Sequence, residues 1–199
     1  MAKKPKAVVL GVGAERGVGA GLSRRFAKEG YHVLVAGRTA AKIEKVVETI
    51  RTAGGSATAV VTDGTREADV VALFDRAMAD DAEGSPADLL VFNMGNNQAV
   101  DFREMTAQHF EDSWRVGCFA GFLFAREFGP QGIHVAHVII DGGIEGERLL
   151  SRMPDRKDKA GPDGLLGIEA IVENYWHIHR QPRSAWSHEI DLRPYKESF

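Results

Sequence analysis

The stretch Leu10-Gly11-Val12-Gly13-Ala14-Glu15-Arg16-Gly17-Val18-Gly19-Ala20-Gly21 has the residue types to hold a phosphate. Its glycines let a backbone turn tightly and let a phosphate approach without a Cβ in the way. A short apolar run, Ala7 to Leu10, precedes it, and a helical pattern through Leu22, Phe26 and Ala27 follows. A strand, a glycine-rich turn and a helix make a dinucleotide-phosphate site, because the helix N-terminus offers free N–H groups and partial positive charge. The candidate cradle is Gly13, Glu15, Arg16, Gly17, Val18 and Gly19. Arg38 follows the next strand, where a dinucleotide's adenosine ribose would lie. An acid there reads a 2′-hydroxyl, whereas an arginine accommodates a 2′-phosphate. Arg16 can add a second positive charge, so the reading is NADP(H) over NAD(H).

Other reactive side chains are scattered. His134 and His137 stand at odd spacing on one apolar run, so as strand residues they point to opposite faces and share no metal. Tyr175 and His179 share a helix face at i, i+4 but sit beside Trp176, which reads as packing or interface. His177 and His188 have no evident partner. No catalytic residue and no metal ligand is assigned.

The elements that must position the turn alternate in type. Tyr31 to Ala36 reads as a second strand. Thr39 to Ala53 reads as a helix, with Thr39 as N-cap and Gly54-Gly55 as its stop. Ala57 to Val61 is a third strand, Arg66 to Ala82 an amphipathic helix, and Ala87 to Phe92 a fourth strand. A long helix over Ala107 to Phe128 carries Trp114, Phe119, Phe122 and Phe124, and so many aromatics predict burial on more than one side. Gly129-Pro130 ends it. Ile133 to Ile140 is a fifth strand, residues 145–164 a variable surface loop with one helical turn near Arg148 to Arg152, Leu165 to Arg180 a helix, and Trp186 to Leu192 a last strand. This is an α/β single domain over residues 1–199, a doubly wound parallel sheet of Rossmann type.

Bulk properties narrow the function. A chain of 199 residues with net charge −3 has no basic surplus for nucleic acid. No apolar run approaches the length of a membrane span. The basic start, Met1 to Lys6, reads as a solvated lead-in to a strand rather than a signal peptide. One cysteine, Cys118, permits no internal disulfide and suits a reducing compartment, so the expected location is cytoplasmic.

With these residues in view, the chain resembles the short-chain dehydrogenase/reductase family. The Gly13–Gly17–Gly19 spacing is similar to that family's turn, with Val12 where a Thr is usual. Phe92-Asn93-Met94-Gly95 stands where the family has N-N-A-G, and Gly-Pro-Gln-Gly-Ile-His-Val from Gly129 resembles the entry to its sixth strand. The tail from Arg180 to Trp186 resembles a family C-terminus. The resemblance implies that Asp63, followed by Gly64, bonds the adenine amino group, that the chain at Asn93 and Gly95 passes close to the cofactor, and that Ile144 bonds the nicotinamide carboxamide through its backbone. Asn97 and Gln98 read as loop polarity. The family's activity is hydride transfer between a nicotinamide cofactor, here read as NADP(H), and a carbonyl or alcohol, and a homo-oligomer is expected.

The family's catalytic residues are a Ser, a Tyr with a Lys four positions later, and an Asn on the long helix. No Y-x-x-x-K occurs here: Tyr31, Tyr175 and Tyr195 are followed four places on by Val35, His179 and Phe199, and Gly117 takes the Asn position. About one βα unit is absent between Phe128 and Gly129. The expectation is therefore an NADP(H)-binding chain of oxidoreductase lineage that is catalytically weak or inactive; the alternative is a non-catalytic NADP(H)-binding or interaction protein. The fifth strand is expected to replace the missing one, giving strand order 3-2-1-4-5 plus the terminal strand. The lost helix would expose the apolar face from Trp114 to Phe128.

Overall fold

The computed structural model describes residues 3–95, 100–128 and 134–196. Its nucleus is a parallel sheet of β1 (Pro5–Leu10), β2 (His32–Gly37), β3 (Ser56–Val61) and β4 (Ser85–Phe92) in the order β3-β2-β1-β4. β1 aligns Ala7 with Val33 on one side and with Leu89 on the other. The connecting helices are α1 (Val18–Lys28), α2 (Ala40–Thr52) and α3 (Glu67–Met78). Ala7, Val9, Val33 and Val35 join a core with α1 and α2, while Val8, Leu10, Leu34 and Ala36 join one on the other face with α3. Alternating side chains both find apolar cover, so the strands read as unbroken apolar runs.

After β4 come α4 (Ala107–Trp114), a π-helical stretch (Arg115–Phe119) and α5 (Ala120–Phe128), forming one long helix. Only its last part is built into the core, through Leu123, Phe124 and Phe128; α4 buries no residue. The expected burial on more than one side is thus corrected, since Phe110, Trp114 and Phe122 are exposed.

The expected strand order is also corrected. β5 (His137–Ile140) does not join β4; it pairs in parallel with β6 (Glu189–Leu192) as a separate two-stranded sheet. Between them lie α6 (Glu147–Leu150), α7 (Arg156–Ala160) and α8 (Ile168–His179), so the 145–164 loop holds two short helices. α8 returns to α1: a Cβ on Gly21 would lie 2.8 Å from Ile168 Cγ2 and 3.1 Å from Val172 Cγ2, so only glycine permits this approach. Gly129, Pro130 and the start of the expected strand at Ile133 lie outside the described residues, as do Asn97 and Gln98.

Two further expectations change. Lys6 is not solvated: it is fully buried, and its Nζ donates to the carbonyls of Arg76 (3.1 Å) and Ala79 (2.8 Å) while pairing with Asp81 (2.9 Å). A lysine on these last carbonyls caps α3, which stops at Met78 instead of running to Ala82. Thr39 precedes α2 as expected but makes no side-chain capping bond.

Candidate functional site

The glycine turn is clamped at the C-terminal ends of β1, β2 and β4. The N–H groups of Gly11 and Val12 both donate to Ala36 O, at 3.0 and 2.9 Å. Asn93 N donates to Leu10 O at 2.8 Å, and its side-chain Nδ2 donates to Gly11 O at 3.3 Å. Gly11 has φ +97°, and a Cβ there would stand 2.5 Å from Asn93 O. Gly37 is as tightly held, since its Cβ would meet Val12 O at 2.3 Å. Neither glycine was assigned to the site from sequence. The signal was there in each case: a small residue directly at a strand end beside the turn.

Gly13 faces open space, with no heavy atom within 4 Å of a Cβ built there. Gly17, extended, is the N-cap of α1 and provides no side-chain cap; the first turn of α1 also carries no acid. Gly19 touches Asn93 Nδ2 and Val12 Cα, at 3.0 and 3.2 Å from its built Cβ, and Val18 opens the helix beside it. An uncapped helix start under an open glycine fits a pyrophosphate.

Glu15 is drawn to α2 instead. It accepts from Lys45 Nζ (2.8 Å) and Thr49 Oγ1 (3.1 Å), and the Lys45 bond above all holds its carboxyl below the usual range. Its carbonyl accepts from Arg24. It pins the turn to two helices. Arg16 and Arg38 expose their side chains. Arg38 follows Gly37 and acts on Asp63 across the sheet edge. Burial pushes the Asp63 carboxyl up, but the two Thr65 donors, with Arg38 and Arg66 nearby, outweigh it and hold the group ionised. Thr65 N and Oγ1 both donate to Asp63 Oδ1, at 3.0 and 2.8 Å.

Gly64 carries the side chain of Met94 above it; its built Cβ would lie 2.4 Å from Met94 Sδ and 3.2 Å from Leu10 Cδ2. Gly95 is exposed at the end of β4's extension. From the far side, Ile144 bridges Leu166, and two bonds frame that bridge: Glu145 N to Leu166 O and Leu166 N to Gly143 O, both 2.8 Å. The Ile144 N–H is not used in that ladder. Glu147 N then donates to Arg16 O at 2.9 Å, which lays the segment across the glycine turn. The structure therefore gathers Gly13, Glu15, Arg16, Gly17, Val18, Gly19, Arg38, Asp63, Gly64, Asn93 and Ile144 around the ends of one sheet.

Tyr31 lies before β2, at the opposite end of the sheet, with its hydroxyl 2.8 Å from His179 Nε2. Burial, with Asp88 nearby, pushes its pKa up, and burial raises that of Tyr175. Tyr195 is 90% exposed. Among the described residues no cluster of His, Cys, Asp and Glu could hold a metal.

This geometry defines an α/β domain of the doubly wound kind with a candidate dinucleotide-phosphate turn. A family model described as short chain dehydrogenase matches residues 7–140, and the chain belongs to that family. An uncharacterized oxidoreductase of Methylorubrum extorquens is 30% identical over 87% of this chain and 68% of its own length. The uncharacterized oxidoreductase YuxG of Bacillus subtilis is 36% identical over 64% of this chain, which spans only 18% of that relative. A metagenomic short-chain oxidoreductase solved in complex with NADP superposes with a TM-score of 0.72 at 20% identity, covering 97% of this chain and 98% of that one. Among the described residues no helix is long and apolar enough to cross a membrane.

Proposed function

We propose that this chain binds NADP(H) in preference to NAD(H) and is an oxidoreductase by lineage whose own hydride-transfer turnover is weak or absent. The observation that carries the first part is the open, uncapped start of α1 under Gly13, with the exposed guanidinium of Arg38 directly after β2. The backbone of Gly13, Gly17, Val18 and Gly19 holds the pyrophosphate. Arg38 and Arg16 hold the 2′-phosphate, and ionised Asp63 accepts from the adenine amino group. Asn93 fixes the turn that Gly95 leaves open, and the Ile144 N–H bonds the carboxamide. Bound there, the nicotinamide supplies or accepts a hydride.

The second part rests on the proton. A carbonyl reduction needs a donor near the substrate oxygen, and a Tyr with its usual pKa of about 10 needs a neighbouring cation to serve near neutral pH. Tyr31 and Tyr175 are instead shifted upward. A small carbonyl or alcohol remains the substrate class by lineage. The free thiol of exposed Cys118 suits a reducing compartment, so a cytoplasmic location belongs to the same proposal. A second reading, a non-catalytic NADP(H)-binding or interaction protein, is favoured by the exposed Phe110, Trp114 and Phe122.

The test is a fluorescence titration with NADPH and NADH, on wild type and Arg38→Ala. Loss of a charged phosphate contact weakens NADPH by roughly tenfold or more and leaves NADH nearly unchanged. Equal loss for both cofactors would remove Arg38 from the 2′-phosphate. Sustained NADPH oxidation over a carbonyl panel, above a control without protein, would refute the inactive reading.

A further inference from the structure

The starts of β2 and β3 carry a chain of polar side chains at the end of the sheet opposite the glycine turn. His32 opens β2 and Ser56 opens β3, and the two stand side by side in the parallel register. His32 is buried and Ser56 is partly exposed. Ser56 Oγ lies 2.8 Å from His32 Nδ1, and Thr58 Oγ1 lies 3.1 Å from His32 Nε2. Thr58 in turn donates to Glu83 Oε1 at 2.8 Å. Arg76 holds that carboxylate with two bonds, 3.0 and 2.7 Å, and above all keeps it below the usual carboxylate range. The hydroxyl of Thr58 has one proton, and ionised Glu83 takes it. Its oxygen therefore accepts from His32, which puts the imidazole proton on Nε2. Nδ1 is left as a base, and Ser56 donates its hydroxyl proton to it. The direction of the relay is fixed from Glu83 to Ser56.

We propose that Ser56 is a nucleophile activated by His32 and takes the acyl group of a small activated ester. A hydroxyl bonded to a base that a third group orients is the arrangement nucleophilic catalysis needs. Ser56 Oγ bonds to the ester carbonyl carbon as its proton passes to His32 Nδ1. The bond from that carbon to the alcohol oxygen then breaks, and the leaving oxygen takes the electron pair and the proton. The products are acyl-Ser56 and the alcohol, and a water molecule repeating the step releases the acid. The imidazolium formed in between has Glu83 Oε1 3.8 Å from its Nε2, while Lys6, Arg76 and Arg51 oppose its charge. Among the described residues β3 pairs only with β2, so Ser56 stands at a sheet edge. Thr62 N donates to Gly37 O, so the even-numbered residues of β3 turn their backbone groups to β2 and Ala57 turns its own to the open side. There Ala57 O accepts from Arg51 Nε and Nη2, at 3.1 and 2.8 Å. The Ala57 N–H, directly after the nucleophile, and the Arg51 guanidinium are the donors at this edge for a developing oxyanion. None of these residues belongs to the glycine turn, so the inference is independent of whether the cofactor reading holds.

The probe is p-nitrophenyl acetate with the full chain. Wild type at neutral pH should release nitrophenolate in a burst and leave an acetyl group on Ser56, read by the mass of the peptide that contains it. That group is an ester, so hydroxylamine should remove it, whereas acetyl-lysine would stay. Ser56→Ala should lose the label. His32→Gln, with its far-UV spectrum kept, should acetylate Ser56 about a hundredfold more slowly or worse. Glu83 is a positioning residue, and the pH profile tests it. Burial lowers the His32 pKa and Glu83 works against that shift. The acetylation rate should therefore rise with pH below about pH 6.5, as His32 loses its proton, and Glu83→Gln should move that rise to lower pH. Acetyl groups on lysines but not on Ser56, Ser56 labelled as fast in His32→Gln as in wild type, or a pH profile unmoved by Glu83→Gln would each overturn the proposal.

Discussion

Gly19→Ala separates the stability of the glycine turn from its capacity to bind. A Cβ at this position would lie 3.0 Å from Asn93 Nδ2, 3.2 Å from Val12 Cα and 3.3 Å from Gly11 O. Each contact is a few tenths of an ångström too short, and two of the three partners are turn backbone. Such overpacking costs about 1–3 kcal/mol. Gly19 is the second residue of α1, where alanine regains about 0.5–1 kcal/mol of helix propensity. The net loss of stability is therefore small, on the order of 1–2 kcal/mol. Binding suffers differently. Val12 and Gly11 cannot yield without loosening the two bonds to Ala36 O or the Asn93 bond to Gly11 O, and those bonds place the pyrophosphate cradle. Loss of even two charge-assisted bonds to phosphate weakens NADPH by about a hundredfold or more. Urea denaturation and an NADPH fluorescence titration on the same preparation read the two effects. Stability within about 2 kcal/mol of wild type together with unchanged NADPH affinity would refute the cradle.

Two further perturbations follow from the buried polar groups. Lys6→Met removes an ammonium from two helix-end carbonyls and from Asp81, and should cost on the order of 3 kcal/mol by urea denaturation; a loss under about 0.5 kcal/mol would show that α3 is not capped by this side chain. Acid should destabilise the fold in the range of imidazole titration: His32 and His179 both have lowered pKa values, burial being the main cause, with Lys6, Arg76 and Arg51 adding to it at His32 and Arg180 and His134 at His179. The unfolded imidazoles then bind protons near pH 6.5 while the folded ones stay neutral, so stability falls as pH drops below about 6.5, by at most about 1.4 kcal/mol per pH unit for each. His32→Gln should flatten that slope, and an equal slope in wild type and variant would rule out His32 as a contributor.

The nucleotide half was legible because its signals are local. Val8, Val9, Val33 and Val35 are apolar in unbroken runs since both sheet faces are covered, and Gly13, Gly17 and Gly19 follow their strand at once. What escaped depends on distant partners. Lys6 resembles any basic residue near a chain start until α3, some seventy positions on, presents its last carbonyls. Tyr31 and His179 meet across 148 positions, so neither announces the other. Glu15 is a cofactor candidate by its place in the turn, and its bonds to Lys45 and Thr49 of α2 join partners about thirty positions away. The π-helical stretch leaves no periodic signal of its own, whereas the exposure of Trp114 and Phe122 follows from the helix expected to be missing beside them.

The two sheets show how the nucleotide site stands without a longer ladder. Among the described residues β4 pairs only with β1, which makes it an edge strand, and it carries exposed Pro86 and Asp88, residue types that discourage further pairing. β5 satisfies its backbone through β6 instead. Besides the bond between His179 and Tyr31, the C-terminal part is tied back at two points. One is α8 on α1, where Ile168 and Val172 close on Gly21; the other is Glu147 on the carbonyl of Arg16. Both ties end on the glycine turn or on the helix it starts. These two ties hold α8 and the Ile144–Glu147 segment beside the glycine turn, the end of the fold where the proposed cofactor would lie. The proposed dinucleotide contacts all lie at the glycine-turn end, so the proposal expects binding there whether or not the chain turns over a substrate.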